Sequence, residues 1–156
     1  MEFTQKFTVN APLAAVAAVH SDTRALRWLS PPPIIVQFHD VQPLGEGSTA
    51  DFTLWIGPIP VRWLAYHYNY NPLTGFVDEQ HKGPFKKWVH THTFTPLTDT
   101  TTEVTDHIVA EFRPHPLWGP IGLFMWLGLP FMFFYRKLQT QRHAKEMTHE
   151  LAQNPS

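Results

Sequence analysis

The sequence predicts an α+β domain in which a strongly curved antiparallel sheet packs against helices. Three observations predict it. Short runs of alternating apolar and polar residues recur along the middle of the chain, set apart by Gly, Pro and Asn. Helical patterns fall in only two places, directly after the first such run and at the C-terminal end. Aromatic residues make up 14% of the chain and there are 15 prolines, which suits a β-rich domain with a wide apolar interior better than a helical bundle.

Each element follows from local pattern. Glu2 to Val9 alternates, with Phe3, Gln5, Phe7 and Val9 on one side. Asn10 and Pro12 open a helix carrying Leu13, Val16, Ala17 and Val19, and Asp22 opens a second short one with Leu26, Trp28 and Leu29. Pro31-Pro32-Pro33 stops it, since proline cannot continue a helix. Six strands follow: Ile34 to Val41, Ser48 to Ile56, Val61 to Tyr70, Phe76 to His81, Phe85 to Thr95 and Thr101 to Phe112. The turns between them contain Gly45-Glu46-Gly47, Gly57-Pro58, Asn71-Pro72, Gly83-Pro84 and Thr98-Asp99. A polar helical tail runs from Arg136 to about Ala152.

Length and charge narrow the function. At 156 residues the chain reads as one domain, 1–156, large enough for a real core. It contains no cysteine, so disulfides and thiolate metal sites are excluded. The net charge of −1 provides no basic footprint, so nucleic acid is not an expected partner. MEFTQKFTV lacks a basic start followed by an apolar run, and the expected location is the cytoplasm, with peripheral membrane contact as a variant. There is no phosphate-binding Gly-rich loop and no Gly-x-Ser-x-Gly elbow.

One stretch needs its own reading. From Leu117 to Tyr135 there is no charged residue, and the length is that of a membrane span, which takes roughly 17–25 apolar residues. Gly119, Pro120, Gly122, Gly128 and Pro130 interrupt it, which favours the front half of a C-terminal helix bent near Pro130. The spacing of Leu127, Phe131, Phe134 and Leu138 predicts the stripe that closes a cavity against the sheet. Phe124, Met125, Met132 and Phe133 are then left to contact a membrane surface, a second copy of the chain or the ligand's entrance.

The element order, together with GFVDEQHKGPFKKWVHTHTF (Gly75–Phe94), TTTEVTDHIVAEF (Thr100–Phe112), and GPIG and FFYR near the last helix, resembles the START / polyketide cyclase–dehydrase superfamily. More narrowly, it is similar to the bacterial ligand-binding SRPBCC branch. The resemblance implies a helix-grip fold: a seven-stranded sheet wrapped around a long C-terminal helix, with an internal cavity. It speaks to fold more than to activity, because that superfamily includes carriers, sensors and cyclases.

Period-two alternation nominates the polar groups of the cavity wall. Trp88, His90, His92 and Phe94 share one face of their strand, Asp106 falls within the apolar set of the next, and Asp78 and Gln80 share a face with Phe76. A turn centred near Thr98 and Asp99 brings His92 to Asp106. A turn centred near Gly83 brings Asp78 to Trp88 and Gln80 to Lys86. A buried carboxylate is costly unless paired.

Three readings stay open for Asp78, Gln80, His90, His92 and Asp106. They are hydrogen-bonded pairs that fix register, polar handles of an apolar ligand site, or a His-x-His metal or acid–base site. No local motif fixes a third metal ligand, so neither metal nor cofactor is expected. The expected function is non-enzymatic: binding or carrying a hydrophobic lipid, polyketide-like or isoprenoid molecule. Its contacts would be Asp78, Gln80, Trp88, His90, His92, Phe94, Asp106, Leu127, Phe131 and Phe134. The alternatives are a cyclase or dehydratase using His92 with Asp106, and a membrane-interface or partner-binding module. Arg62, Arg113 and His115 read as surface groups.

Overall fold

The chain opens with β1 (Glu2–Val9), in which Phe7 and Val9 turn inward, and α1 (Leu13–Val19) follows. Pro12, in extended conformation, is the residue that precedes the helix, and Asn10 lies outside it. Proline's fixed backbone angle suits this position and its missing N–H costs nothing there. After a 3₁₀ turn (Thr23–Ala25) capped by the Asp22 carboxylate, which accepts from Arg24 N, comes α2 (Leu26–Leu29). These coordinates are a computed structural model and describe residues 1–153.

Six strands then run β2 (Ile35–Val41), β3 (Thr49–Ile56), β4 (Ile59–Asn71), β5 (Gly75–Lys82), β6 (Phe85–Thr98) and β7 (Thr101–Phe112). With β1 they form one antiparallel seven-stranded sheet in the order β1-β7-β6-β5-β4-β3-β2. The helices α3 (Trp118–Leu127) and α4 (Leu129–Gln153) complete the chain. The sheet curves around α4, with two short helices after β1, and this is the helix-grip architecture.

Two apolar clusters hold helix to sheet. Phe52, Trp63, Phe85 and Trp88 from the sheet meet Leu129 and Phe133 of α4. Phe7, Phe94 and Val104 meet Val16 of α1 and Ala144 further along α4. In the first cluster Trp63 meets Trp88 edge to face at 5.5 Å, Phe85 tilts against Trp88 at 4.8 Å, and Phe52 stacks on Trp63 at 6.3 Å.

The register of β5, β6 and β7 positions the site. Asp78 lies opposite His90, and His92 opposite Asp106. The β5–β6 pairing is shifted by two residues from a turn centred on Gly83, so Asp78 meets His90 rather than Trp88. The cause is Gln80. Its side-chain amide donates to Phe85 O at 2.9 Å and accepts from Phe85 N at 3.3 Å, replacing main-chain pairs at the end of the ladder. Gly75 secures the other end. It has φ +126, and a Cβ there would run into the His92 carbonyl.

The phase of the last helix differs from the sequence expectation. Leu127, Phe131 and Phe134 are 70%, 64% and 56% exposed, and Leu138 is exposed as well. Leu129, Phe133, Arg136, Thr140 and Ala144 form the buried stripe instead. Phe133, expected outside, is fully buried, and Met125 and Met132 are half-buried, leaving Phe124 as the one exposed member of that set. The physical reason is the break at Gly128: α3 and α4 meet at 50°, so the helical phase restarts at Leu129 and Pro130 in a new first turn. Residues around the break are apolar on every side, so hydropathy carried no phase information there.

Candidate functional site

A cavity of about 370 Å³ lies between sheet and helices, within the usual range for small-molecule sites. Its walls are Phe52, Trp63, Ala65 and Trp88 from the sheet, the Pro31–Pro33 segment, and Phe124, Met125, Leu129 and Met132 around the helix break. Asp78, His90 and His92 form the polar side of one wall, and His20, His67 and Arg136 also face the space.

Asp78, His90, His92 and Asp106 form one closed network. His90 Nε2 donates to Asp106 Oδ1 at 2.9 Å, and His92 Nε2 donates to Asp78 Oδ2 at 3.2 Å. Both bonds run diagonally across the strands, since the residues directly opposite are Ile108 and Phe76. His90 Nδ1 is 3.4 Å from the same Asp78 oxygen. His92 Nδ1 lies 2.9 Å from Asp106 Oδ1, but out of line for a hydrogen bond. The two imidazoles sit 3.8 Å apart, centre to centre. Phe76 stacks on His92 at 4.4 Å, and the Phe133 ring presents its edge to His90 at 5.5 Å.

The electrostatics follow from burial and pairing. Burial by itself would raise both carboxyls, but the contacts with His90 and His92 outweigh it and hold Asp78 and Asp106 well below the usual carboxylate range. Burial opposes charge on His92 as well, and its two carboxylate neighbours overcome this and push it above the ordinary value. His20 shows the opposite balance. Burial lowers it to about 4, and its Nδ1 donates to Val16 O at 2.9 Å. His67, bonded to Ser48 Oγ at 3.0 Å, is also lowered by burial.

The nominated residues therefore divide. Asp78, Trp88, His90 and His92 face the cavity, and Asp106 stands behind the histidines, holding both. Gln80 ties the β5–β6 turn and does not reach the cavity. Phe94 belongs to the second apolar cluster, beneath α1. Phe131 touches the mouth, while Leu127 and Phe134 point outward for the reason given by the helix break. Arg62 pairs with Asp51 at 2.6 Å on the surface, Arg113 donates to Gly83 O and Phe85 O, and His115 Nδ1 accepts from Leu117 N and Trp118 N.

Three buried ionisable cavity residues escaped the sequence reading. His67 could have been found by pairing Phe52 with Trp63, which orients its strand. His20, just beyond α1, carries no local signal. Arg136 read as the first residue of a polar tail, yet it is buried against the cavity.

One ligand atom each from Asp78, His90 and His92 lie within 4.8 Å of one another, the donor set of a zinc or iron site, with Asp106 behind as an outer carboxylate. Arg136 directs positive charge into the same space, coupled to both Asp78 and Asp106, and this opposes a second cation. Proton chemistry suits the cluster better.

These features correct the expectation of a non-enzymatic ligand-binding protein. Orienting a ligand needs one or two satisfied polar groups. Here four ionisable side chains contact one another at the wall of an apolar cavity, with both carboxyls lowered and His92 raised in pKa, the arrangement of acid–base catalysis.

No family model matches the chain, and no curated protein matches it. Solved structures match at low identity across helix-grip proteins. A START superfamily protein from Mycobacterium smegmatis is 15% identical, with TM-score 0.66, covering 94% of this chain and 99% of that one. An aromatase/cyclase from Streptomyces sp. R1128 is 14% identical, with TM-score 0.66, covering 97% and 95%. A nucleoside-diphosphate sugar epimerase from Corynebacterium glutamicum is 25% identical, with TM-score 0.66, but this chain covers only 28% of it and is itself covered over 90%. The similarity is distant and establishes the fold.

Proposed function

We propose that the protein is a cyclase- or dehydratase-type enzyme acting on a hydrophobic, polyketide-like substrate held between sheet and C-terminal helix. The observation that carries the reading is the buried Asp78–His92–Asp106–His90 network on the wall of an apolar cavity. An aromatase/cyclase of the same fold supports it by analogy.

Each side chain takes a role from its position. His92, raised in pKa by its two carboxylate neighbours, holds a proton more tightly than a free imidazole and serves as general acid. Asp106 faces the histidines, away from the cavity, and orients both. Asp78 is the member in contact with substrate, its side chain 20% exposed, and it orients His90, whose ring nitrogen beside it receives the proton. In a dehydration, one proton leaves the carbon beside a carbonyl for Asp78–His90. Another passes from His92 to the departing hydroxyl. The carbon–carbon double bond forms as water leaves, and the site keeps its proton count. Trp63, Trp88 and Phe52 exclude solvent from this exchange.

The test is turnover of a poly-β-keto or β-hydroxyacyl thioester, followed as loss of one water by mass spectrometry. His92→Gln is expected to lower the rate by about 10²–10⁴-fold, the usual worth of a general acid, while the melting profile stays cooperative. Equal rates in the two proteins would remove His92 from the chemistry.

A second feature bears on how such a substrate arrives. Leu123, Phe124, Leu127, Phe131, Phe134 and Leu138 are exposed side by side around the helix break, and Phe124 and Phe131 also line the cavity mouth. Among the described residues no single helix is long and apolar enough to cross a membrane, although the bent α3–α4 pair together has the length and composition. We infer that this face rests on a membrane surface, so that a hydrophobic substrate enters the mouth without crossing water.

A further inference from the structure

Arg136 is the one arginine among the described residues that lines the cavity, and the acid–base network makes no use of it. It sits on the buried stripe of α4, 6% exposed, and lines the cavity. A guanidinium has five N–H donors. Among the described residues Arg136 donates none of them to a protein acceptor, and its buried Nε has no partner. It forms no ion pair with Asp78 or Asp106, although it lies in the field of both. The Phe133 ring lies 4.9 Å from its guanidinium carbon. A buried cation whose donors go unused is costly, and proteins keep such a group where a ligand completes it.

We propose that Arg136 is the anchor for an anionic end group of the bound molecule, and that this group is a carboxylate. The ligand is then an amphipathic acid, its apolar body against Trp63, Leu129 and Met132 and its carboxylate on the guanidinium fork. Arginine matches a carboxylate in two parallel hydrogen bonds, which a neutral ester or alcohol cannot reproduce. Because Asp78 is held by His90 and His92 rather than by Arg136, the guanidinium remains available to a third carboxylate.

The proposal rests on the reading of this cavity as the substrate site, and its test is a binding measurement independent of turnover. Decanoate and 1-decanol share an apolar chain and differ at one end. Each is titrated against the full-length protein loaded with the neutral dye N-phenyl-1-naphthylamine, and displacement is read by fluorescence. The wild type is expected to prefer decanoate by roughly tenfold or more, the scale of one charge-assisted pair. Arg136→Met should abolish that preference and leave decanol binding within about twofold. Arg136→Lys should keep part of it, because the charge stays and the fork is lost.

Equal affinity of the wild type for acid and alcohol would overturn the proposal, as would a preference that survives in Arg136→Met. A parallel loss of both ligands in a variant with a lowered melting temperature would make Arg136 a distant counter-ion of Asp78 and Asp106, and would also overturn it. Should Arg136→Met fail to fold, wild-type competition between decanoate and its methyl ester decides the matter in the same two directions. Failure of turnover with the acid preference intact would count against the enzyme assignment alone.

Discussion

The two walls of the cavity are built on opposite principles. The sheet wall presents polar groups that hold one another: Asp78, His90, His92 and Asp106 are locked by strand register, three of their four cross-strand contacts are at or below 3.2 Å, and of their ring nitrogens His92 Nδ1 is buried without a hydrogen bond. The helix wall presents apolar groups and a lone guanidinium without a protein partner, and much of its apolar surface faces out. A network of mutually paired charges is preorganised chemistry, whereas a buried guanidinium with no protein partner, or an exposed apolar face, waits for something outside the chain. The sheet wall is therefore the reacting side, and the helix wall the side that captures and admits.

The largest expected effect breaks the sheet wall. Asp106→Ala leaves His90 and His92 each without its rear carboxylate inside the protein, and removing one partner of a buried charged pair costs about 3–5 kcal/mol. Chemical denaturation should show that loss, with turnover falling too. A change below about 1 kcal/mol would mean that the network stores little stability and that its pairing is loose.

Comparable in size, and aimed at the helix wall, is a contrast between neighbours. Phe133 is fully buried against Phe3, His90 and the sheet, whereas Phe134 is 56% exposed. Phe133→Ala should cost about 3–5 kcal/mol, and Phe134→Ala within about 0.5 kcal/mol. Reversed values would restore the Leu127, Phe131, Phe134 stripe as the inner face.

That contrast also marks what the sequence could convey. Strands have an unambiguous period of two, so the inward positions of Trp88, His90 and His92, and the meeting of His92 with Asp106, could be read directly. The Asp78 pairing was displaced by two residues because a side chain, Gln80, did the work of main-chain hydrogen bonds, and no periodic pattern records that. In the C-terminal segment the limit was different. Leu129 to Phe134 is apolar at every position, so any stripe fits, and the break at Gly128 reset the phase before the polar residues that could have fixed it. Arg136 was then assigned to solvent by its type alone, although Phe133, Arg136, Thr140 and Ala144 are spaced as one helical face.

A smaller effect, in pH, sets the two kinds of buried histidine against each other. His20 is packed among Val16 O, His92, Phe94, Asp106 and Arg136, and its folded pKa of about 4 is far below the unfolded ~6.5. The unfolded chain therefore takes up a proton at this group first, and stability falls as pH drops from about 6.5 to 4, by up to ~3 kcal/mol. His67 acts in the same direction. His92, facing Asp78, His90, Asp106, His20 and Phe76, is raised on folding. Its contribution is complete below about 6.5 and is lost as pH rises through the folded value. Asp78 and Asp106 contribute above their unfolded pKa near ~3.9, and that contribution goes only as pH falls further. Melting temperature should peak near pH ~6.5. His20→Gln should flatten the acid limb and leave the alkaline limb, whereas an unaltered acid limb would show that His20 is solvated in the fold.

The smallest effect on stability carries the clearest consequence for the outer face. Leu127 is 70% exposed and Phe131 64%, so replacing both with Ser removes almost no packing and should shift the unfolding free energy by under about 0.5 kcal/mol. If that face rests on a bilayer, the same double variant loses two of its apolar anchors, each worth about 1.5–3 kcal/mol when buried. Co-sedimentation with phosphatidylcholine vesicles should then fall at least tenfold relative to wild type. Neutral vesicles are the informative choice, because the segment from Leu117 to Tyr135 has no charge with which to seek an anionic surface. Loss of vesicle binding without loss of folding or of decanoate binding would separate admission from capture. Unchanged vesicle binding would instead detach the exposed stripe from the membrane and leave the cavity mouth open to water.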